Sequence, residues 1–408
     1  MEEEHHDPTW PEKVTPHIGQ AVRGEMRFPR AELEAEFDSA LTRTNGGMLF
    51  GLRRTGKSSE AVACAERLRK LGKKVIEEDA QGKTSEAELL CAILGQLQVQ
   101  GIGGRLLRFI SGDSAIPAGV REAIKLLTPS NIGDVQAYFG PIAAAIQRAL
   151  AAHDEKPVLI VDELPWLCRS ILQADSQTGR RRVDVLLAAL RGWRAAGMRM
   201  LLMGSIGLVG LGREYKLDLS HLNDLTPLSV PPLEPEEAEA LVRALAAGGN
   251  ISGWSEEHTQ ALLTESVAFY PSILQRGFLQ VTIGGKATAV KRFEDIFARK
   301  VRPELDDAFF KQFDNRVQRY GILDAPLPQL LEHVLEAVLV APAPVSRSEL
   351  KTRAGDAVDE SDLTDALSIL KEDGFVTPRI ARSGPQTWSA ASTLVTAWRN
   401  QRRGGAPA

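Results

Sequence analysis

A chain of 408 residues, 43% apolar and 25% charged, has ordinary globular composition and the length of two or three domains, and it needs neither disulfides nor metals to bury a large core. Lysines and arginines number 49 against 53 acids, a formal charge of −4, so no global basic excess advertises a nucleic-acid binder; only a local patch would supply one. The three scattered cysteines, Cys64, Cys91 and Cys168, contain no C-x-x-C pair and read as small buried hydrophobes in a reducing compartment. The histidines show no zinc spacing, no run of about 18 apolar residues marks a membrane helix, and the acidic start MEEEHHDPTW is not a secretory signal, so a cytoplasmic protein is expected.

Residues 1–30, with Pro8, Pro11, Pro16 and Pro29, read as an irregular entry segment. Leu33, Phe37 and Leu41 have helical spacing over 31–44. Gly46-Gly47 then breaks the helix, and Met48-Leu49-Phe50 reads as a short buried strand. After the loop GLRRTGKS come a helix ending at Gly72 and a second strand, KKVIEEDA. Residues 84–150 read as helical, interrupted by a Gly-rich stretch over 101–119 that looks like a variable insertion. Pro157 introduces the apolar strand VLIVDE; a helix over 182–196, the strand MRMLLMGS and a short strand near 225–230 come next. Apolar strands alternating with helices predict an α/β fold, a parallel sheet covered on both faces. Residues 235–285 read as all-helical, 291–320 as a charged helical stretch, and 326–400 as three short helices and a hairpin.

Gly51-Leu52-Arg53-Arg54-Thr55-Gly56-Lys57-Ser58 fits G-x-x-x-x-G-K-[ST] at every fixed position, between a predicted strand and a predicted helix. Glycines let such a loop curl its N–H groups toward phosphate oxygens, and the helix beginning near Lys57 adds the positive end of its dipole. Lys57 would reach the β- and γ-phosphates and Ser58 would ligate Mg²⁺. The second half is Val158–Asp162 and then Glu163, an apolar strand ending in two acids where open α/β sheets place their ligands. Asp162 would hold Mg²⁺, and Glu163 would polarise a water toward the γ-phosphate. Ser205, closing LLMGS, has one hydroxyl for contacting that water or the γ-phosphate, or for ending a strand or capping a helix.

These stretches resemble, in order, the AAA+ and STAND-like ATPases of prokaryotes, nearest the archaeal-type ATPase group related to replication-initiator ATPases. VRGEMRFPRAELE is similar to the entry segment near the adenine, FGLRRTGKSS to the Walker A motif and VLIVDELPWL to the Walker B motif. LRGWRAAGMRMLLMGSIGL is similar to the helix and sensor 1 strand and FYPSILQ to the lid; FDNRVQRYG and the small helical domain after it are similar to a C-terminal winged helix. The resemblance covers about residues 20–400. It implies ATP and Mg²⁺ as cofactors, with Gly51, Arg53, Arg54, Thr55, Gly56, Lys57, Ser58 and Ser59 around the phosphates. Ser58 and Asp162 would hold the metal, Glu163 would be the base and Ser205 sensor 1. Phe28, Pro29 and Arg30 would lie near the adenine and Pro271 in the lid. It divides the chain into an entry segment (1–30), an ATPase core (31–232), a helical lid (233–290), a connecting helix (291–325), and a winged-helix-like domain with a basic tail (326–408). Two parts of the family pattern are missing. No sensor 2 arginine is evident, although Gln275 and Arg276 come directly after the lid motif begins, and Arg191, Arg194 and Arg213 are undistinguished candidates for an arginine finger.

In the C-terminal segment Leu330, Leu331, Val334, Leu335 and Val338 line one helix face, and Ser346 with Glu349 forms a capping-box pattern. Leu363, Leu367 and Leu370 would face inward from a third helix, and a wing-like hairpin turns around Ser383-Gly384. A winged helix normally offers its third helix to the major groove. Here that helix carries Asp359, Glu360, Asp362, Asp365, Glu372 and Asp373 against Lys371 alone, which phosphates would repel. Arg379, Arg382, Arg399, Arg402 and Arg403 in wing and tail are the remaining basic candidates. Three functions fit this pattern. One is an ATP-hydrolysing switch acting on a protein partner. Another is a DNA-binding ATPase of initiator or transposition-regulator type. The third is a regulatory module, for instance in defence, with incidental hydrolysis. Oligomers are compatible with all three; a membrane is not expected.

Overall fold

The computed structural model describes residues 14–19, 21–99, 108–109, 112–113, 116, 132–175, 177–355, 358–379 and 385–403. The chain forms two compact units: a sheet unit (35–50 and 64–228) and a helical unit (1–34, 51–63 and 229–408).

The sheet unit holds five parallel strands in the order β2-β3-β4-β1-β5: β1 Gly46–Phe50, β2 Val75–Asp79, β3 Val158–Asp162, β4 Arg199–Gly204 and β5 Thr226–Leu228. Gly46 and Gly47, expected to break a helix, are the first residues of β1. A Cβ on Gly46 (φ +135°) would stand 1.9 Å from the Met200 carbonyl oxygen, and one on Gly47 2.4 Å from the Leu228 side chain. Both glycines therefore let strands lie close on either side of β1. Helices α1 Ala31–Arg43, α2 Lys57–Lys70, α3 Glu86–Val99, α4 Ile132–Ala137 and α5 Phe139–Ala151 lie between or before the first strands in sequence. α6 Leu164–Ala174, α7 Gly179–Ala195 and α8 Leu208–Tyr215 come after β3 and β4. Ile93, Ile146, Leu159, Val161, Leu187 and Leu202 form one buried cluster between sheet and helices. Each such side chain contributes roughly 2 kcal/mol by leaving water. Of the Gly-rich stretch 101–119, most lies outside the described residues.

In the helical unit, α9 Pro235–Gly248, α10 Glu256–Glu265 and α11 Pro271–Val281 form the expected helical array. It ends in a two-residue ladder, β6 Thr282–Ile283 with β7 Lys286–Ala287, where helix was expected: Gly284 and Gly285, both at positive φ, turn the chain back. In the stretch 293–320, α12 Phe293–Ile296, α13 Arg302–Leu305 and α14 Lys311–Tyr320 alternate with π turns at Phe297–Val301 and Asp306–Phe310. Then come α15 Leu327–Val340, β8 Val345–Ser346, α16 Arg347–Ala354, α17 Glu360–Glu372, β9 Val376–Arg379, β10 Thr387–Ala390 and α18 Thr393–Arg402. The small sheet has the order β8-β10-β9, an arrangement compatible with a winged helix. The wing turn at Ser383-Gly384, with Arg382, lies outside the described residues. Ser346 does cap α16, its side chain accepting from Glu349 N–H. The basic tail is helix α18, because Leu394, Val395 and Trp398 give it a buried face; the Trp398 ring packs at a tilt against Phe313 and Phe375.

Candidate nucleotide site

The phosphate loop leaves β1 at Gly51 and enters α2 at Lys57. Gly51 (φ +148°) and Gly56 (φ +106°) make its two sharp bends. The Lys57 ammonium donates to the carbonyls of Gly51 (3.0 Å) and Leu52 (2.5 Å) and is 8% exposed, so it lies over the inside of its own loop. The Thr55 hydroxyl also donates to Leu52 O at 3.0 Å. Arg54 sits in the left-handed region (φ +68°), a strain of roughly 1–2 kcal/mol for a residue with a Cβ. The Ser272 hydroxyl of α11 fixes it by donating to Arg54 O at 2.7 Å. Burial, then the charges of Arg276 and Arg53, hold the Arg54 guanidinium below the usual arginine range, so three arginines concentrate positive charge beside the loop. Arg276 donates to Glu304 at 2.7 Å, while its buried Nε has no hydrogen-bond partner among the described residues.

A cavity opens next to the loop, walled by apolar side chains (Val22, Met26, Phe28, Val230, Leu233, Leu241) and floored by Thr55 and Gly56. Phe28, Arg30, Ser59 and Pro271 line it as well; among the described residues, Pro29, Arg53, Arg54, Lys57 and Ser58 do not. The entry segment is pinned to α2 and α11 at several points. Val22 N–H donates to Ser59 Oγ (3.1 Å), Arg27 donates to Glu60 (2.7 Å) and pairs with Glu34, and His17 N–H donates to Gln275 Oε1 (2.5 Å). Arg30 donates to the carbonyls of Pro231 (2.8 Å) and Pro232 (3.1 Å). Gln275 and Arg276, neighbours on α11, thus do different work: one holds the entry segment, the other faces the arginine cluster.

The loop is also held from the C-terminal side. Arg53 N–H donates to Gln312 Oε1 of α14 at 2.9 Å. A Cβ on Gly374 (φ +75°), in the turn from α17 to β9, would stand 3.1 Å from Leu52 Cγ. That turn is fixed from inside. The Tyr320 hydroxyl donates to Asp373 Oδ2 at 2.9 Å, and Arg316 donates to Asp373 O.

In the sheet unit the C-terminal ends of β1, β4 and β3 lie along one edge, since the strands are parallel and in register. Asp162 closes β3, and its Oδ1 accepts the Glu163 N–H at 2.9 Å. Glu163 is left-handed (φ +56°) at the start of α6. Among the described residues only Lys216 and Asn250 share a positive φ without being glycine, apart from Arg54 and Glu163. Strain of this kind collects where a side chain must be aimed. The Glu163 Oε2 accepts from both the Ser205 N–H and its hydroxyl, each at 2.9 Å, and the Trp166 indole donates to Ser205 Oγ at 3.0 Å. Ser205, expected to contact the attacking water or the γ-phosphate, or else to end a strand or cap a helix, directly follows β4 and donates its hydroxyl to Glu163, while the cap of α8 is Gly207.

Of the three arginine-finger candidates, Arg194 is buried and bound to Asp224 (2.7 Å) and His221 O, so it braces its own unit. Arg191 donates to Ser220 O at 2.9 Å. The tail arginines are likewise engaged: Arg399 and Arg403 pair with Glu336, and Arg402 with Asp306 and Asp314. On α17, Glu360 pairs with Arg347 and Lys351, and Asp373 is buried. Cys64 and Cys168 are buried, and burial pushes the Cys168 thiol up to about 12, an inert sulfur. Among the described residues no cluster of three or more His, Cys, Asp or Glu forms a metal site, and no helix is long and apolar enough to cross a membrane.

The parallel sheet in this strand order, with a G-x-x-x-x-G-K-S loop leaving its β1, defines a P-loop NTPase fold. No protein-family model matches the chain, and no curated protein does. The fold is shared with the Walker-type ATPase of Pyrococcus abyssi, at a TM-score of 0.50 and 16% identity over 93% of this chain and 97% of that one. The ORC2 protein of Aeropyrum pernix in its ADP form matches at a TM-score of 0.45 and 16% identity, over 95% of this chain and 96% of that one. Cdc6p from Pyrobaculum aerophilum matches at 0.37 and 13% identity, over 92% and 95%.

Gln275, Glu60, Gln312, Trp166 and Gly374 were not assigned roles by the sequence. Gln275 and Arg276 stood next to the lid motif, but which of them faces the loop depends on the rotation of α11. Trp166 is three residues past Glu163, yet its partner Ser205 is 39 residues further on, and no local spacing announces the pair.

Proposed function

We propose that the protein binds and hydrolyses ATP as a molecular switch, the nucleotide state being passed to the lid and the C-terminal module and from there to a protein partner. The observation carrying this reading is that the phosphate loop is held by the connecting helix and the module: Arg53 N–H on Gln312 of α14, and Leu52 against Gly374. In this reading the adenine occupies the cavity walled by Val22, Met26 and Phe28, with Arg30, Ser59 and Pro271 at its rim. The N–H groups of residues 54–58 would cradle phosphate, Lys57 would neutralise it, and Arg54 of the loop with Arg276 of the lid would add charge. In this reading Ser58 and Asp162, each of which offers the hard oxygen that Mg²⁺ prefers, would hold the metal along with waters and phosphate oxygens. Magnesium bound there would draw charge from the phosphates. Glu163, aimed by Ser205, orients a water and accepts its proton.

In this reading, closing of the loop on a γ-phosphate would strain or release the Gln312 and Gly374 contacts. The test is thermal unfolding with Mg²⁺ and ATP in excess. At a hundredfold excess over Kd, wild type gains about 2.7 kcal/mol, and Lys57→Ala loses that gain. A Lys57→Ala protein that bound and hydrolysed ATP normally would remove the assignment. Sizing Glu163→Gln with and without ATP tells a nucleotide-dependent assembly from a monomeric switch.

A further inference from the structure

We propose that Trp166 is a positioning residue for Glu163, acting through Ser205: its indole N–H fixes the direction of the Ser205 hydroxyl and so delivers the one hydroxyl hydrogen to the carboxylate. The inference rests on the reading of Glu163 as the group that orients the attacking water.

The chemistry of the three groups leaves one arrangement. An indole N–H only donates, an ionised carboxylate only accepts, and a serine hydroxyl has a single hydrogen with lone pairs to spare. Trp166 Nε1 lies 3.0 Å from Ser205 Oγ, and Ser205 Oγ lies 2.9 Å from Glu163 Oε2. The hydroxyl must therefore accept from Trp166 and donate to Glu163. Without the indole, the hydroxyl hydrogen has other staggered directions open to it, and Glu163 Oε2 is left with the backbone N–H of Ser205. Both Ser205 bonds fall on Oε2, so that oxygen is anchored and Oε1 takes neither of them.

The relay is built in a rigid place. Ser205 is 3% exposed. Pro165, the residue before Trp166, packs on Gly204, the residue before Ser205; a Cβ on Gly204 would stand 2.6 Å from Pro165 Cδ. The first turn of α6 and the end of β4 are thus locked in register at two consecutive positions. Backbone bonds from Trp166 N–H (3.0 Å) and Leu167 N–H (3.3 Å) to Glu163 O close that turn. The Arg169 guanidinium sits 5.4 Å from the centre of the Trp166 ring and helps hold the ring in place. Glu163 keeps its left-handed backbone because these contacts leave it no alternative.

Two readouts test this. The first needs no turnover. In protein labelled with ¹⁵N at tryptophan, the Trp166 indole signal is the one absent from Trp166→Phe. It is expected to shift, and its N–H to exchange faster with water, in Ser205→Ala; it is expected to shift in Glu163→Gln as well, through the hydroxyl. A signal unmoved by both substitutions overturns the relay. The second readout is steady-state hydrolysis by the full chain. Trp166→Phe keeps the ring and the fold, and is expected to lower kcat about tenfold, the worth of one hydrogen bond, with KM for Mg-ATP unchanged. In a Ser205→Ala background the same substitution is expected to add nothing. A further tenfold loss there, or a change confined to KM, overturns the relay. Absence of hydrolysis by wild type overturns the reading of Glu163, and the indole signal then decides the relay alone.

Discussion

At the scale of single residues, charge is spent on holding the chain together more than on display. Arg194 was a candidate for acting on a neighbouring molecule's nucleotide, but its guanidinium is buried against Asp224, which also accepts from Asn45 at 3.2 Å just before β1. The hydrogen bond from Arg194 holds the Asp224 carboxyl below the usual carboxylate range. Its folded-state value lies below the unfolded one, so the stabilisation is complete above about pH 4 and is lost as pH falls through the folded value. Asp224→Ala leaves Arg194 buried without its counter-charge and is expected to cost roughly 3 kcal/mol. Denaturant unfolding at pH 7 measures this, and the gap between wild type and variant should shrink in acid. Equal stability at pH 7 would show the pair to be dispensable.

At the scale of elements, the phosphate loop and the turn after α17 meet through small groups. Two features favour glycine at Gly374: its φ of +75° disfavours any side chain, and a Cβ there would crowd Leu52 Cγ at 3.1 Å. Gly374→Ala is therefore expected to destabilise by about 1–2 kcal/mol. Gln312→Ala is the gentler probe, because it removes only the acceptor of the Arg53 N–H. It should leave nucleotide-free stability within about 1 kcal/mol and change ATP affinity several-fold by calorimetric titration. An affinity identical to wild type would show that the connecting helix does not sense the loop.

At the scale of the whole molecule, the question is what the C-terminal module touches. A winged helix would invite DNA, but the acids of α17 would oppose it. The tail arginines are neutralised by Glu336, Asp306 and Asp314, where free charge had been expected. Gel shifts over a salt series are expected to give no sequence-specific complex dependent on α17. Arg399→Ala should cost about 1 kcal/mol of stability and leave any weak DNA binding unchanged. Tight specific binding that collapses on Asp362 or Asp365 substitution would return the molecule to the DNA-binding reading.

The sequence by itself determined the loop, the strand-ending acids and the alternation that makes a parallel sheet, because each is a local pattern. Glycine spacing sets a loop's curvature, and unbroken apolar runs require burial on both faces. The C-terminal helix faces were legible for the same reason: Leu330 to Val338 and Leu363 to Leu370 repeat at helical spacing and are buried. Only the tertiary structure decided what those groups face. Gly46-Gly47 reads locally as a helix breaker and becomes a strand because β4 and β5 press on it. The tail reads as solvated charge and becomes a helix because Phe313 and Phe375 offer Trp398 a place to pack. Ser205 reads in sequence as a sensor, a strand end or a cap, and its bond to Glu163 appears only in the fold, because a hydrogen bond is settled by which donors and acceptors the fold brings within about 3 Å.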